Sequence, residues 1–311
     1  MRPLGRAPVD QWVDVRLHEA FDAVMADFVN DGFPFTSSQA RDLGISPRAL
    51  REGLQLGAFR REYRNVYTDA RVPDSRSSRL RAVQLVKPDG AVVCNESAAW
   101  LYGLDVHAPG DRRRLDPSLV TEHSTTHISR HGTRARQAKL STEDIDYVDG
   151  VHVTTPVRTV SDLLRRMYRP YALAAADAFA HAGLIKPEEV VDHVARLKGY
   201  RGIVQARSLA SLIEPLTESP GESWQRLRIL DAGFPPPTPQ FVVIDDFGRE
   251  RRIDLPYPDL LIGTEFDGRE FHTDPIHRQE DEDRRGYLTD LYGWRWVIGT
   301  RERIFGADTS F

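Results

Sequence analysis

Cysteine occurs once in the 311 residues, as Cys94, which excludes an internal disulfide and any cluster of thiolate metal ligands. Lysine is nearly as scarce. There are four against 38 arginines, and the last is Lys198, so the final third of the chain has no ammonium side chain. No apolar run approaches the ~20 residues needed to cross a bilayer, and nothing reads as a signal peptide. The expected setting is cytoplasmic, with no membrane partner. A net charge of −4 excludes binding to nucleic acid by bulk positive charge, yet leaves room for a local basic face. The length points to two domains or a compact trio, and 40% apolar content suffices for ordinary cores.

Carboxylates are plentiful where lysine is missing. Around residues 251–268 two short apolar runs flank Pro256-Tyr257-Pro258-Asp259, a turn signal that predicts a β-hairpin with a loop longer than two residues. Glu265 and Asp267 are two apart and share a face if the second run is a strand. Asp254, ending the first run, would lie opposite them. Three converging acids repel one another and lose hydration unless a positive charge sits between them. A hard divalent cation, Mg²⁺ or Mn²⁺, suits such oxygen ligands. The alternative is a solvated hairpin face carrying ordinary surface acids.

The pattern Asp254-x10-Glu265-x-Asp267-Gly268 has further companions. Glu222 opens a helix, Gly233-Phe234-Pro235 follows it, and Gln240 begins a strand. His272, Asp283-Arg284-Arg285 and Gly293-Trp294 come after. Together, over roughly residues 222–305, they resemble the PD-(D/E)xK nuclease superfamily, and more closely its DUF559 branch, related to the very-short-patch-repair endonucleases. The resemblance implies a restriction-endonuclease-like α/β fold with a mixed sheet. It also implies a metal-dependent hydrolysis of DNA phosphodiesters. Asp254, Glu265 and Glu222 would bind Mg²⁺ or Mn²⁺, with Asp267 close by. The metal would generate hydroxide and balance charge on the phosphate. His272 would protonate the leaving oxygen or position the water. One departure stands out: the superfamily usually has lysine where this chain has Asp267. Orientation of the water then falls to His272, Gln225 or Arg285.

The N-terminal third reads differently. Apolar residues at Val13, Leu17, Phe21, Val24 and Phe28 predict a helix. Thr36 or Ser37 is placed to cap a short helix over 38–43, and Gly44-Ile45-Ser46 is a tight turn. A second helix is expected over 47–56, with Ser46 as cap and Pro47 at its first position. Residues 59–67 read as a two-stranded wing. Between 41 and 87 there are eleven basic residues against five acidic ones. Arg48 and Arg51 would point toward a groove of double-stranded DNA, with Arg60, Arg61 and Arg64 set for phosphates. The run Thr36-Ser37-Ser38-Gln39-Ala40, then Leu43-Gly44-Ile45-Ser46, Gly57-Ala58-Phe59-Arg60-Arg61 and Asn65-Val66-Tyr67, resembles the winged helix of AbiEi-type antitoxins. Small helical folds with surface arginines that never touch DNA are the alternative.

In the middle, helix, short strand or loop, and helix are expected over 81–104, with Asn95 or Ser97 as cap. Short strands are expected near 119–121, 127–129 and 151–154. His123, His127 and His131 fall on strand-like sequence, where that spacing makes a row rather than a metal site, so no bound transition metal is expected. Helices are expected over 155–164, 171–182, 187–197 and 201–216, and 218–221 reads as a linker. The segment 153–163 again resembles AbiEi-like proteins. The resulting fold class is α+β and multidomain: a winged helix-turn-helix over 1–80, a mixed then helical middle over 81–217, and a nuclease-like domain over 218–311. The functional expectation is a metal-dependent DNA endonuclease recruited by a winged helix. The alternative is a non-catalytic DNA-binding regulator or type IV antitoxin-like protein with a degenerate nuclease fold. A cognate toxin or self-association is the further partner expected.

Overall fold

The computed structural model describes residues 33–42, 44–107, 117–122, 129–130, 133–267 and 275–305. The expected helix over 13–28, and His123, His127, His131 and His272, lie outside the described residues. The chain is mixed α/β and divides into two compact units. One comprises residues 1–103 and 109–154, the other 104–108 and 155–311.

The first unit begins with strand β1 (Phe35–Thr36), helix α1 (Ser37–Asp42) and helix α2 (Pro47–Gln55). Both helix starts are fixed locally. The Thr36 hydroxyl accepts from the Gln39 N–H at 3.2 Å, and the Ser46 hydroxyl accepts from the Ala49 N–H at 3.1 Å. Pro47 fills the first turn of α2, where its missing N–H costs nothing. Gly57, at φ +73°, turns the chain out of α2 into β2 (Phe59–Tyr63) and β3 (Val66–Asp69). The three strands pair antiparallel in the order β1-β3-β2. Phe35, Ala40, Ile45, Leu50, Phe59 and Tyr67 are buried beneath them.

Helix α3 (Arg76–Val86), strand β4 (Val92–Val93) and helix α4 (Asn95–Leu101) follow. The expected cap of α4 is not formed by Asn95 or Ser97. Cys94 holds the cap position without a side-chain capping bond, Asn95 takes φ 50°, and the Ser97 hydroxyl instead accepts from the Ser118 N–H. β5 (Leu119–Glu122) comes next, then the short pair β6 (Ser129–Arg130) and β7 (Thr133–Arg134). β8 (Arg136–Ala138), β9 (Ile145–Val148) and β10 (Val151–Thr154) complete a five-stranded sheet ordered β8-β5-β4-β10-β9. One core runs under both halves of this unit: Tyr63 and Val66 from the hairpin, Leu80 and Val83 from α3, Val93, Leu101, Val151 and Val153 from the sheet and the helix beside it.

The second unit opens with α5 (Pro156–Arg166), α6 (Arg169–His181), α7 (Pro187–Arg196) and α8 (Ile203–Ala210). The last is shorter than the helix expected over 201–216. Within α5, Asp162 is buried between Arg158 and Arg165, both also buried, so the ions are paired where water is excluded. The stretch 218–221 is not a linker. Ser219 caps α9 (Pro220–Asp231), and its hydroxyl accepts from the Glu222 N–H at 3.2 Å. Asp177 of α6, 1% exposed, accepts from the Ser223 hydroxyl and the Arg226 guanidinium, each at 2.8 Å, and from the Glu214 N–H at 2.9 Å. An aromatic cluster of Tyr171, Trp224, Phe266 and Phe305 packs beside it.

The last strands are β11 (Phe241–Ile244), β12 (Glu250–Ile253), β13 (Ile262–Phe266) and β14 (Arg295–Gly299). β11 and β12 form an antiparallel hairpin. Beyond β12 the chain stays against β13: the Leu255 N–H donates to the Thr264 carbonyl, and Tyr257 bridges Ile262. β13 and β14 are parallel and joined through helix α10 (Pro275–Tyr292); a short helix α11 (Arg301–Phe305) follows. The hydrophobic seam between sheet and α10 holds Ile253, Leu288, Trp294 and Trp296. No helix among the described residues is long and apolar enough to cross a membrane.

Candidate functional site

The sequence points to two groups of charged side chains, one basic and one acidic. The basic group lies on α2 and the β2–β3 hairpin. Arg48, 86% exposed at its side chain, is joined to Glu52 one turn along by a 2.8 Å ion pair. That carboxylate, through its hydrogen bond and then its charge, holds the Arg48 guanidinium above its ordinary pKa. Arg51 is exposed, with its Nε donating back to the Pro47 carbonyl. Arg64 is exposed at the turn between β2 and β3, next to Asn65 in the left-handed conformation (φ 64°). Arg61 is exposed and lies 5.8 Å over the Tyr67 ring.

Arg60 has a different post. It is half-buried, pairs with Glu62 at 2.7 Å, and donates to the Val72 carbonyl at 2.5 Å. Those bonds fasten the hairpin to the segment leading into α3, so Arg60 acts within the fold rather than outward. The alternation in 59–63 explains it: β2 buries Phe59 and Tyr63 and leaves only Arg61 exposed among its five residues.

The acidic group forms where α9 meets the ends of β12 and β13. Glu222, in the first turn of α9, is buried, and its Oε2 accepts from the Gln240 amide at 2.9 Å and from the Glu218 N–H at 3.2 Å. Asp254 follows the last residue of β12. Its carboxyl is pushed up to about 7, first by burial and then by the negative charges of Glu222 and Glu265, against the pull of Arg284 and Arg252. Glu265, on β13, is 4% exposed. Asp267 lies one residue beyond the end of β13, where its N–H donates to the Gly299 carbonyl at 2.8 Å. Gln225, one turn along α9 from Glu222, is wholly buried with both amide atoms unpartnered among the described residues.

A positive charge already stands on Glu265. Arg284 of α10 grips both carboxylate oxygens, at 2.7 and 3.2 Å, and Arg285 adds a third bond at 3.2 Å. The resemblance implies a divalent ion at this place, and the donor set does not fit one as it stands. The Glu265 oxygens are engaged by guanidinium groups, and Oε2 of Glu222 by an amide and an N–H. Among the described residues no three His, Cys, Asp or Glu side chains are arranged to hold a metal. The pairing of Arg284 with Glu265 is not among the sequence expectations. A signal for it exists: adjacent arginines on the helix after a strand acid, in a stretch without lysine.

Two proteins of Mycobacterium tuberculosis, the uncharacterized proteins Rv2248 and MT2308, are each 31% identical to this chain over 241 residues. The aligned stretch covers 78% of this chain and 85% of each relative. The chain belongs to the family of these mycobacterial proteins. Within the family fold, residues 91–212 match the AbiEi antitoxin C-terminal domain. That stretch begins before β4 and ends after α8, so it takes in the five-stranded sheet and the helices α5 to α8. The antitoxin likeness of the middle segment is thereby shown, while the nuclease likeness of the last segment has no such match.

Proposed function

We propose that this protein is a DNA-binding regulator of the antitoxin class. α1, α2 and the β2–β3 hairpin act as a winged helix on double-stranded DNA, with α2 in the major groove and the hairpin turn along the backbone. The observation that carries the reading is the outward set Arg48, Arg51, Arg61 and Arg64, offered by one small domain of a chain that is acidic overall. The antitoxin domain over 91–212 supports the class, and helices α5 to α8 are the surface for a cognate toxin or a second copy.

Fluorescence anisotropy of the full-length protein on labelled duplex DNA, over a series of salt concentrations, tests this. Each arginine–phosphate contact contributes about 0.9 to the slope of log affinity against log salt. Arg48→Ala with Arg51→Ala should weaken binding and flatten the slope by about 2. An unchanged affinity and slope would place the DNA surface elsewhere.

One observation favours a second reading, a metal-dependent endonuclease. Glu222 and Glu265 both press on Asp254 in an α9-β11-β12-β13-α10-β14 arrangement. Asp254, Glu265 and Glu222 would then be its acids, with Asp267 beside them. Incubation with plasmid in Mg²⁺, Mn²⁺ or EDTA separates the two, because a regulator leaves the plasmid intact in all three. The guanidinium groups on Glu265 support putting the regulator first.

A further inference from the structure

The acidic cluster carries its own cation. Arg284 is held at four points drawn from three segments. Its Nη1 donates to Glu265 Oε1 at 2.7 Å and to the Arg252 carbonyl at 2.7 Å, at the end of β12. Its Nη2 donates to Glu265 Oε2 at 3.2 Å and to Asp281 Oδ1, one turn earlier on α10, at 3.0 Å. The side chains of Arg284 and Glu265 are 19% and 5% exposed, so the pair is largely shielded from solvent. Burial alone would lower the Arg284 pKa, but its bonds to Glu265 and Asp281 outweigh that and leave it raised.

We propose that Arg284 is the resident cation of this cluster: its guanidinium takes the charge-balancing post on Glu265 that a divalent ion would otherwise fill. A fork of two N–H groups matches the two oxygens of a carboxylate. A Mg²⁺ ion would have to bind a Glu265 oxygen at about 2.1 Å, beside guanidinium groups that already take three of the roughly four acceptor positions and against the charge of an arginine that two further acceptors also hold. A lysine could not do the same work, because the three N–H donors on its single nitrogen cannot serve the four acceptors that the guanidinium reaches. The absence of lysine after Lys198 therefore leaves no gap here. The Glu265 carboxylate is balanced in the fold without regard to the metal supply, which is what a binding protein requires and a metal-dependent hydrolase does not. This inference is independent of where the duplex binds.

Mn²⁺ alone is the probe, followed by the paramagnetic signal of the free ion and by melting of the full-length protein in EDTA or excess Mn²⁺. Wild type should leave Mn²⁺ free and melt at one temperature in both. Arg284→Gln should melt lower in EDTA, take up Mn²⁺ at least about tenfold more tightly than wild type, and recover part of its lost melting temperature with the ion. Joint substitution of Arg284→Gln and Glu265→Gln should melt above Arg284→Gln, since position 265 then carries no buried charge to be balanced, and should leave Mn²⁺ free. If Arg284→Gln fails to fold, the joint variant decides: folding supports the proposal and failure overturns it. Wild type that takes up Mn²⁺ and gains stability overturns it and supplies the endonuclease reading with its metal. An Arg284→Gln protein that stays indifferent to Mn²⁺ also overturns it, making the arginine a packing contact only. The anisotropy measurement tests DNA binding separately, so either result can fail without the other.

Discussion

Asp254→Asn tests the electrostatics of the cluster directly. The carboxyl ordinarily titrates near 3.8 and here titrates at about 7. Below the ordinary value, folded and unfolded chains are both protonated and the site costs nothing. As pH rises the unfolded chain releases its proton first, so the folded state loses stability progressively, and the full penalty is reached above about 7. At about 1.36 kcal/mol per pKa unit, the penalty at pH 8 is about 4 kcal/mol, shrinking to about 1 kcal/mol at pH 4.5. Water and salt around this partly exposed group reduce it, so about 2 to 4 kcal/mol at pH 8 is the expected gain when the charge is removed. Asparagine keeps the shape, and its amide can donate to the neighbouring carboxylates. In a unit of this size the gain should raise Tm by on the order of 5–15 °C at pH 8, and by far less at pH 4.5. Calorimetric melting of both proteins across that pH range, in EDTA, provides the measurement. A variant that melts lower than wild type by the same margin at both pH values would refute the reasoning. Asp254 would then be held by hydrogen bonds that asparagine cannot replace.

Two other perturbations reach different parts of the molecule. Asp177→Ala removes the buried carboxylate that Arg226, Ser223 and the Glu214 N–H all address, leaving a buried arginine unpaired. The expected loss is about 3–5 kcal/mol, seen as a lower urea midpoint, and a loss under about 1 kcal/mol would show that water reaches Arg226. Glu52→Gln removes the acid that pairs with Arg48 on the exposed side of α2, and should strengthen duplex binding by about two- to fivefold, on the scale of an exposed ion pair. Unchanged or weaker binding in the anisotropy assay would mean that α2 does not face the phosphates.

What can be read from the sequence is local. Ser46-Pro47 announces a helix start through its own chemistry, and Asp245-Asp246-Phe247-Gly248 announces a hairpin, because each depends on residues within one turn. The acids at 222, 254 and 265 are legible as a group because strand alternation and a motif spacing both point at them. The β8 and β9 strands give no such signal: three and four residues long, with polar residues among them, they exist only because neighbouring strands pair with them. Charge alone assigns Arg60 outward, whereas strand pairing sets its partners as Glu62 and Val72. Asn95 looks like a cap by residue type, but the chain enters α4 with Asn95 already inside it at φ 50°. The Arg284–Glu265 pair spans nineteen residues of sequence, and only the return of α10 along the sheet brings it together.

Asp177 also bears on how the chain can be cut and recombined. The antitoxin match stops at residue 212, which invites a fragment ending there. Such a fragment would keep Asp177 in α6 and discard Ser223 and Arg226, exposing the aromatic side of Tyr171 at the same time. A boundary of sequence similarity and a boundary of cooperative unfolding thus fall at different places in this chain. Gene fusions that exchange the C-terminal segment alone would have to bring a replacement for Arg226 with them.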